Sequence, residues 1–299
     1  MKKILYYDCF AGISGDMLLA AMIDVGVPED YLREELKKLS LKGYELQVSK
    51  VVTHGISSTR VQVALSEDKN KKAFQLNQTL RHGQVAADKH SFRSFTEIRD
   101  MIARSTLSEY VKTLSISIFE RLAIAEGKIH NRPVDEVHFH EVGAVDSIVD
   151  IVGTAICIDY FKPDRIIASP VEVGSCMVSC MHGTYPVPAP ATAELLQHIP
   201  ITLGKVPFEA NTPTSTAILA KVVDEFQKLI SFTPIKVSYG AGSRDSAIPN
   251  VLRIIIGKSN GENHDFFQHE QAMIIECNID DMNPELYEHV VNRLFEAGA

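Results

Sequence analysis

One segment, residues 138–153, constrains the fold more than any other part of the chain. It reads HFHEVGAVDSIVDIVG, so two histidines and three carboxylates stand in an otherwise apolar stretch. Asp146 and Asp150 are one helical turn apart, so a helix would place both carboxylates on one side. A second stripe at helical spacing is apolar and comprises Val145, Val149, Val152 and Ile156. We therefore expect a helix that packs on the core with one face and turns its acids toward a cleft.

The residues before this helix predict a metal site. If the stretch from His138 to His140 is extended, both imidazoles point to one face, and Glu141 follows directly. Burying carboxylates without partners is costly, and a bound cation offsets that cost. Imidazole and carboxylate together suit nickel, zinc, manganese or iron, and spacing does not choose among them. The alternative is structural: an ordinary strand face for the histidines, and a dipole-favoured helix start with a solvated acid behind it.

Composition limits the class of protein. With 299 residues, the chain is long enough for one large or two modest domains. A net charge of −8 argues against a general nucleic-acid or anionic-membrane surface. No apolar run approaches the roughly 18–20 residues that span a bilayer. Five scattered cysteines do not suggest a disulfide framework, so we expect a protein of the reducing cytoplasm.

Strand-like and helix-like stretches alternate irregularly, which predicts an α+β or mixed α/β fold with sheets covered by helices and two subdomains. We predict an N-terminal α/β subdomain over residues 1–135, with a polar loop at 66–91, and a central subdomain that carries the site over 136–270. A helix is expected at 216–229. Residues 271–299 would begin a further, truncated domain, since an amphipathic helix at 285–297 has no sequential partner. The alternative is that this helix folds back on its own domain.

The first strand is followed by a turn that predicts an anion site. Gly12, Ser14 and Gly15 precede a helix whose free amides favour anions. Asp8 and Asp16 flank them and would repel a phosphate unless a cation lay between. A tight turn with a capping serine and a dipole-favoured Asp16 explains the same residues.

Other clusters carry weaker signals. Thr212 and Thr214 offer hydroxyls at a helix start, which a cap explains equally well. Gly242 and Arg244 stand between two strands and could clamp a phosphate or carboxylate, or simply form a hairpin loop. His182 follows the soft ligands Cys176 and Cys180, whose spacing lacks the pairing of a zinc ribbon. A buried thiol pair is the plainer interpretation of the two cysteines.

Taken together, these motifs resemble the LarC family. The matching stretches are YDCFAGISGDM at 7–17, HFHEVGAVDSIVDIVG at 138–153, HG at 182–183 with PVPAPAT at 186–192, TPT at 212–214, GAGSRD at 240–245 and NIDDM at 278–282. Members of that family insert nickel into pyridinium-3,5-bisthiocarboxylic acid mononucleotide, which completes the nickel-pincer cofactor of lactate racemase. The resemblance implies a nickel chelatase or cyclometallase of the lyase class that uses CTP and releases CMP and pyrophosphate.

The chain departs from the family pattern at three places. It stops after NIDDM, where members continue into a further domain that contributes much of the CTP binding and is supplied by a frameshift in some of them. The loop at 66–91 is often rich in histidine, yet here it holds only His82 and His90, so nickel storage there is not expected. Ser215 stands where the family commonly has glycine.

The resemblance and the chemistry together assign roles. Nickel would be held by His138, His140, Glu141 and His182. Catalytic carboxylates would be Asp8, Asp16, Asp146 and Asp150, which position the site or hold a further cation such as Mg or Mn. The mononucleotide and CTP would meet Gly12, Ser14, Gly15, Thr212, Thr214, Gly242 and Arg244.

Expected partners are the mononucleotide, a C-terminal LarC domain, lactate racemase apoenzyme indirectly, and further copies of the chain in a homo-oligomer, but neither nucleic acid nor membrane. The alternative function is a non-catalytic nickel-binding chaperone subunit that needs a separate C-terminal partner. An unrelated metallohydrolase is not favoured, because no His-Glu-x-x-His motif is present.

Overall fold

A seven-stranded mixed sheet organises the molecule. The structure is a computed structural model that describes residues 1–65, 93–137, 139, 145–180, 183–227, 230–259, 276 and 278–298. Its strands are β1 (Lys2–Asp8), β2 (Tyr44–Thr53), β3 (Ile56–Leu65), β4 (Arg165–Ala168), β5 (Val171–Glu172), β6 (Met177–Cys180), β7 (Gly183–Pro186), β8 (Ile201–Thr202), β9 (Glu225–Phe226), β10 (Thr233–Ala241) and β11 (Val251–Ser259).

Strand β1 lies inside the sheet, whose order is β2-β3-β10-β11-β1-β4-β9. It pairs antiparallel with β11 on one side and parallel with β4 on the other. Strands β5 and β8 form one small ladder, and β6 and β7 form another. In β1, Leu5 and Tyr7 alternate along one face and are buried, as the period of two requires for a strand that lies on a core.

The helices of the described part follow the expected periodicity. They are α1 (Gly15–Val25), α2 (Glu29–Lys37), α3 (Phe95–Arg104), α4 (Glu109–His130), α5 (Val145–Phe161), α6 (Pro190–Leu195), α7 (Pro213–Val222) and α8 (Leu286–Glu296), with a 3-10 turn at Val134–Glu136. Helix α5 forms the predicted packing surface: Val149, Val152 and Ile156 of the stripe are fully buried, and Val145 is partly buried. No helix in the described residues is long and apolar enough to cross a membrane.

The α+β fold class is confirmed, whereas the division into two subdomains is not. Strands from residues 2–65 and from residues 165–259 share one sheet, so the chain on either side of residue 135 contributes to a common core. Contacts instead divide the chain into residues 1–261 and 262–299. The boundaries predicted at 135 and 270 stay predictions, and the polar loop at 66–91 lies outside the described residues.

The helix predicted over 216–229 is wrong at both ends. Helix α7 already begins at Pro213 and ends at Val222. It ends there because Asp224 joins the sheet: its amide donates to the Ile166 carbonyl at 2.9 Å, and its Oδ2 accepts from the Ile166 amide at 2.7 Å. These backbone partners lie 58 residues away, so helical periodicity alone could not reveal them.

The second unit, residues 262–299, contains α8 among its described residues. This helix occupies almost the stretch predicted as amphipathic. Its apolar side chains include Leu286, Leu294 and Phe295, which are all more than half exposed.

Candidate functional site

A cavity of about 550 Å³ is the place where four helices begin. Its lining includes the first residues of α1, α5, α6 and α7, represented by Gly15, Asp146, Pro190 and Pro213. The first amides of a helix have no partner within the helix, and they carry the positive end of its dipole. The convergence therefore gives the cavity an electropositive backbone, which suits anionic groups of a ligand.

Local sequence explains why two of these helices begin here. Ser14 precedes α1 in an extended conformation, as an N-cap residue does. Thr212 caps α7 in a reciprocal capping box with Ser215, and Pro213 stands at the first helical position. Thr212 and Thr214 line the cavity, as do Ser14 and Gly15. The structure thus brings both predicted anion turns to one cavity.

Ser215 has a structural role. Its side chain is fully buried, and its Oγ lies 2.8 Å from the Ile13 carbonyl and 2.8 Å from Asn211 Oδ1. It also accepts from the Thr212 amide at 3.1 Å. These contacts fasten the start of α7 to the turn before α1, so the hydroxyl holds two cavity walls together.

Three carboxylates from two helix starts enter the same cavity: Asp16, Asp146 and Asp150. Asp16 accepts from the Ser14 hydroxyl and, at 2.9 Å, from the Met17 amide. Burial raises the pKa of Asp16, and these hydrogen bonds with the nearby Arg60 charge oppose the rise. Asp146 is exposed and accepts from the Ser147 amide at 2.8 Å.

Among the described residues, Asp150 is the cavity aspartate with the fewest neighbours that would stabilise its ionised form. Burial raises its pKa well above the usual value, and the charges of Asp16 and then Asp146 raise it further. Its Oδ1 is buried and has no hydrogen-bond partner among the residues that the structure describes. Gly15 leaves room for this group, because a Cβ there would stand 2.3 Å from Asp150 Oδ2. A buried acid with a raised pKa inside a cavity is a recognised mark of a functional site.

The lining also contains residues that sequence reasoning missed. Glu126 Oε2 and His130 Nε2 from α4 lie 3.2 Å apart, and both line the cavity. Glu209 also lines it. The signal for the first two was their four-residue spacing near a helix end, which is too common to single them out. The rest of the wall is largely apolar and includes Val61, Val63, Ile129, Val178 and Tyr185.

Four predicted site residues lie away from the cavity lining. Asp8 is paired with Arg253, whose Nε donates to its Oδ2 at 2.9 Å. Gly12 has a positive φ of 96°, and a Cβ there would meet the Ala210 carbonyl oxygen at 2.0 Å, so it allows close backbone packing. Gly242 and Arg244 stand in the connection between β10 and β11, where the Gly242 amide donates to the Asn250 carbonyl at 2.9 Å. Their predicted ligand roles stay predictions.

The predicted nickel ligands His138, His140, Glu141 and His182 lie outside the described residues. Near them in sequence, Val137 and Phe139 are buried, and Phe139 packs against Phe119 with ring centroids 6.1 Å apart. Within the described residues, no group of three or more His, Cys, Asp or Glu side chains is positioned to hold a metal ion. The three cavity aspartates thus do not form a metal cluster by themselves.

Comparison with known protein families identifies the family of this chain. A family model described as "Nickel insertion protein" matches residues 5–299. The chain belongs to the nickel insertion protein family. The match spans both the cavity and the segment of predicted nickel ligands, so family membership and site geometry concern the same part of the chain.

Individual relatives agree with this assignment. A protein of Clostridium kluyveri named pyridinium-3,5-bisthiocarboxylic acid mononucleotide nickel insertion protein is 53% identical over 298 residues, which cover 99% of this chain and 71% of the relative. Relatives of the same name from Clostridium acetobutylicum and Geobacillus kaustophilus are 50% and 46% identical, again over 99% of this chain and over 73% and 71% of their own lengths. No solved structure matches the chain significantly.

Proposed function

We propose that this nickel insertion protein inserts nickel into pyridinium-3,5-bisthiocarboxylic acid mononucleotide, the compound in the names of its relatives. One observation carries the proposal: a single cavity combines four helix starts with three aspartates, and one oxygen of Asp150 has no hydrogen-bond partner among the described residues. The compound needs both features. Its phosphate and thiocarboxylates are anionic, whereas its ring and the incoming nickel are cationic.

The anionic phosphate would lie at the helix starts. Ser14 and Gly15 of the first turn and Thr212 and Thr214 of the α7 start offer amides and hydroxyls in the cavity wall. Helix N-termini bind phosphate through such amides and through the helix dipole. These four residues are therefore the nucleotide-binding residues of the proposal.

The aspartates would balance the cations. Asp16, Asp146 and Asp150 would place carboxyl groups beside the ring and the nickel, and a bound cation would favour their ionised form. Nickel itself is substrate here, and imidazole, carboxylate and thiolate donors suit it. His138, His140, Glu141 and His182 remain the proposed ligands that deliver it. The described residues do not fit a resident Mg or Mn ion, and no step depends on one.

The finer chemistry rests on the family resemblance. We propose that insertion is a chelatase or cyclometallase reaction of the lyase class, that it consumes CTP, and that the product matures lactate racemase. The sequence-based expectations of a cytoplasmic homo-oligomer with a C-terminal LarC domain as partner belong to the same proposal.

Nickel transfer tests the function directly. The purified chain would be incubated with nickel and the mononucleotide, with and without CTP, and the product read by activation of apo lactate racemase. A parallel series would add the C-terminal part of the Clostridium kluyveri relative. Transfer in either series supports the proposal. Nickel binding without transfer in both series would contradict it and favour the chaperone alternative.

A further inference from the structure

The cavity contains one phenol ring among the residues described in its lining. That ring belongs to Tyr185, and neither phenylalanine nor tryptophan joins it there. Its apolar neighbours in the wall are Val61, Val63, Ile129 and Val178, whereas the aspartates enter from α1 and α5. The cavity lining thus combines one phenol ring and apolar side chains with carboxylates, which include Glu126 and Glu209 besides the aspartates. A flat ring with a positive charge is matched by that combination.

A hairpin carries Tyr185 into the wall. Strands β6 and β7 pair only with each other in the described sheets. Their register places Tyr185 directly opposite Val178, and both side chains line the cavity. The Val187 amide donates to the Cys176 carbonyl at 2.9 Å and closes the hairpin base. Cross-strand partners share one face of a hairpin, so this face is the one turned to the ligand.

We propose that Tyr185 is the positioning residue for the substrate's pyridinium ring, and that its aromatic face selects a cationic ring over a neutral one. The inference rests on the proposed function, since it assumes a pyridinium mononucleotide as substrate. The electron-rich face of an aromatic ring attracts a cation, and more strongly where water is excluded. The aspartates attract the same charge without regard to its shape, whereas Tyr185 requires a flat ring that can stack.

Binding of two matched probes tests the inference without nickel or turnover. Nicotinamide mononucleotide carries a cationic pyridinium ring, and its reduced form carries a neutral dihydropyridine on the same ribose phosphate. The ratio of their dissociation constants, measured by calorimetry, isolates the preference for the charged ring. We expect Tyr185→Phe to keep the wild-type ratio, and Tyr185→Leu to reduce the preference by about tenfold, the size of a partly buried cation–aromatic contact.

The control is Tyr110→Leu, because Tyr110 is half exposed and is not among the described lining residues. It should leave the ratio unchanged. Tyr185→Met repeats the test if Tyr185→Leu does not fold, as judged by circular dichroism. An unchanged ratio in the folded leucine or methionine variant, or failure of the wild type to prefer the cationic probe, overturns the inference. Failure of the proposed function would appear separately, as absent nickel transfer by a wild type that still discriminates the probes.

Discussion

Two carboxylates withdrawn from water, Asp8 at the end of β1 and Asp150 in the second turn of α5, meet the cost of burial differently. Asp8 has Arg253 beside it, so its charge is balanced within the chain. Asp150 has two further aspartates as electrostatic neighbours, and its Oδ1 has no hydrogen-bond partner within the described part of the chain. The first arrangement stabilises the sheet. The second arrangement lowers the stability of the protein without ligand, and a cationic ligand would offset that loss.

The largest expected effect follows from removing the uncompensated charge. We expect Asp150→Asn to lower nickel transfer by about 100-fold, because a buried charge partner contributes about 3 kcal/mol or more to holding a cation. The same variant should melt at a higher temperature than the wild type without ligand, since the folded wild type must keep a proton that the unfolded chain releases at neutral pH. Nickel-transfer assays and calorimetry measure the two effects. Asp159→Asn on the same helix is the control, because its amide oxygen can still accept from Ser108. Equal transfer by both variants would contradict the proposed role of Asp150.

The same substitution at Asp8 is expected to change the stability in the opposite direction. Asp8→Asn should lower the free energy of unfolding by about 2 kcal/mol, because a charged hydrogen bond to Arg253 is lost. The loss is not larger because the arginine is partly exposed and water screens its charge. Urea unfolding monitored by circular dichroism gives the value. A rise in stability would show that the pair is not favourable. A loss of nickel transfer in the folded variant would instead favour the cation-binding role that the sequence predicts for Asp8.

Two glycine-to-alanine substitutions, one beside Asp150 and one in the connection between β10 and β11, each add a single methyl group. Gly15→Ala places a Cβ 2.3 Å from Asp150 Oδ2, and Gly242→Ala places one 2.5 Å from Asn250 Nδ2. We expect Gly15→Ala to lower nickel transfer about tenfold, since the displaced carboxylate no longer faces the substrate correctly. Gly242→Ala should cost about 1–2 kcal/mol of stability through overpacking and affect transfer less. If Gly242→Ala reduced transfer more than Gly15→Ala in folded protein, the loop at 240–245 would regain its predicted ligand role.

The last expected effect is the pH dependence of stability, which depends on the same Asp150 carboxyl. Folding raises the pKa of Asp150, so the folded carboxyl keeps its proton at pH values where the unfolded chain has lost it. The free energy of unfolding should therefore fall as pH rises above about 4, by at most about 1.4 kcal/mol per pH unit, until the folded pKa is passed. Asp150→Asn has no titrating group at this position and lacks this pH dependence. Its stability advantage over the wild type, measured by urea unfolding, should vanish near pH 4 and grow with pH. A gap that is constant across this range would rule out the raised pKa.

Local pattern predicted much of the scaffold of the site. The spacing of Asp146, Asp150 and the valines led to the helix, its buried face and the entry of its acids into a cavity. Capping residues indicated the starts of α1 and α7. The role of Ser215 was not accessible, because its partner Ile13 is 202 residues away. Glu126 and His130 were missed for a related reason: nothing local distinguishes a pair that faces a cavity from one that faces water.

By itself, the sequence determined the elements and the family, because helical periodicity, capping residues and long family motifs depend only on neighbouring positions. Only the tertiary structure decided which predicted residues share a cavity. It brought the starts of α1, α5, α6 and α7 together and placed Arg253 beside Asp8 across 245 residues, while Asp150 Oδ1 has no partner among the described residues. The physical reason is that charge compensation acts through space. Whether a carboxylate serves stability or ligand binding therefore depends on neighbours that its own segment does not contain.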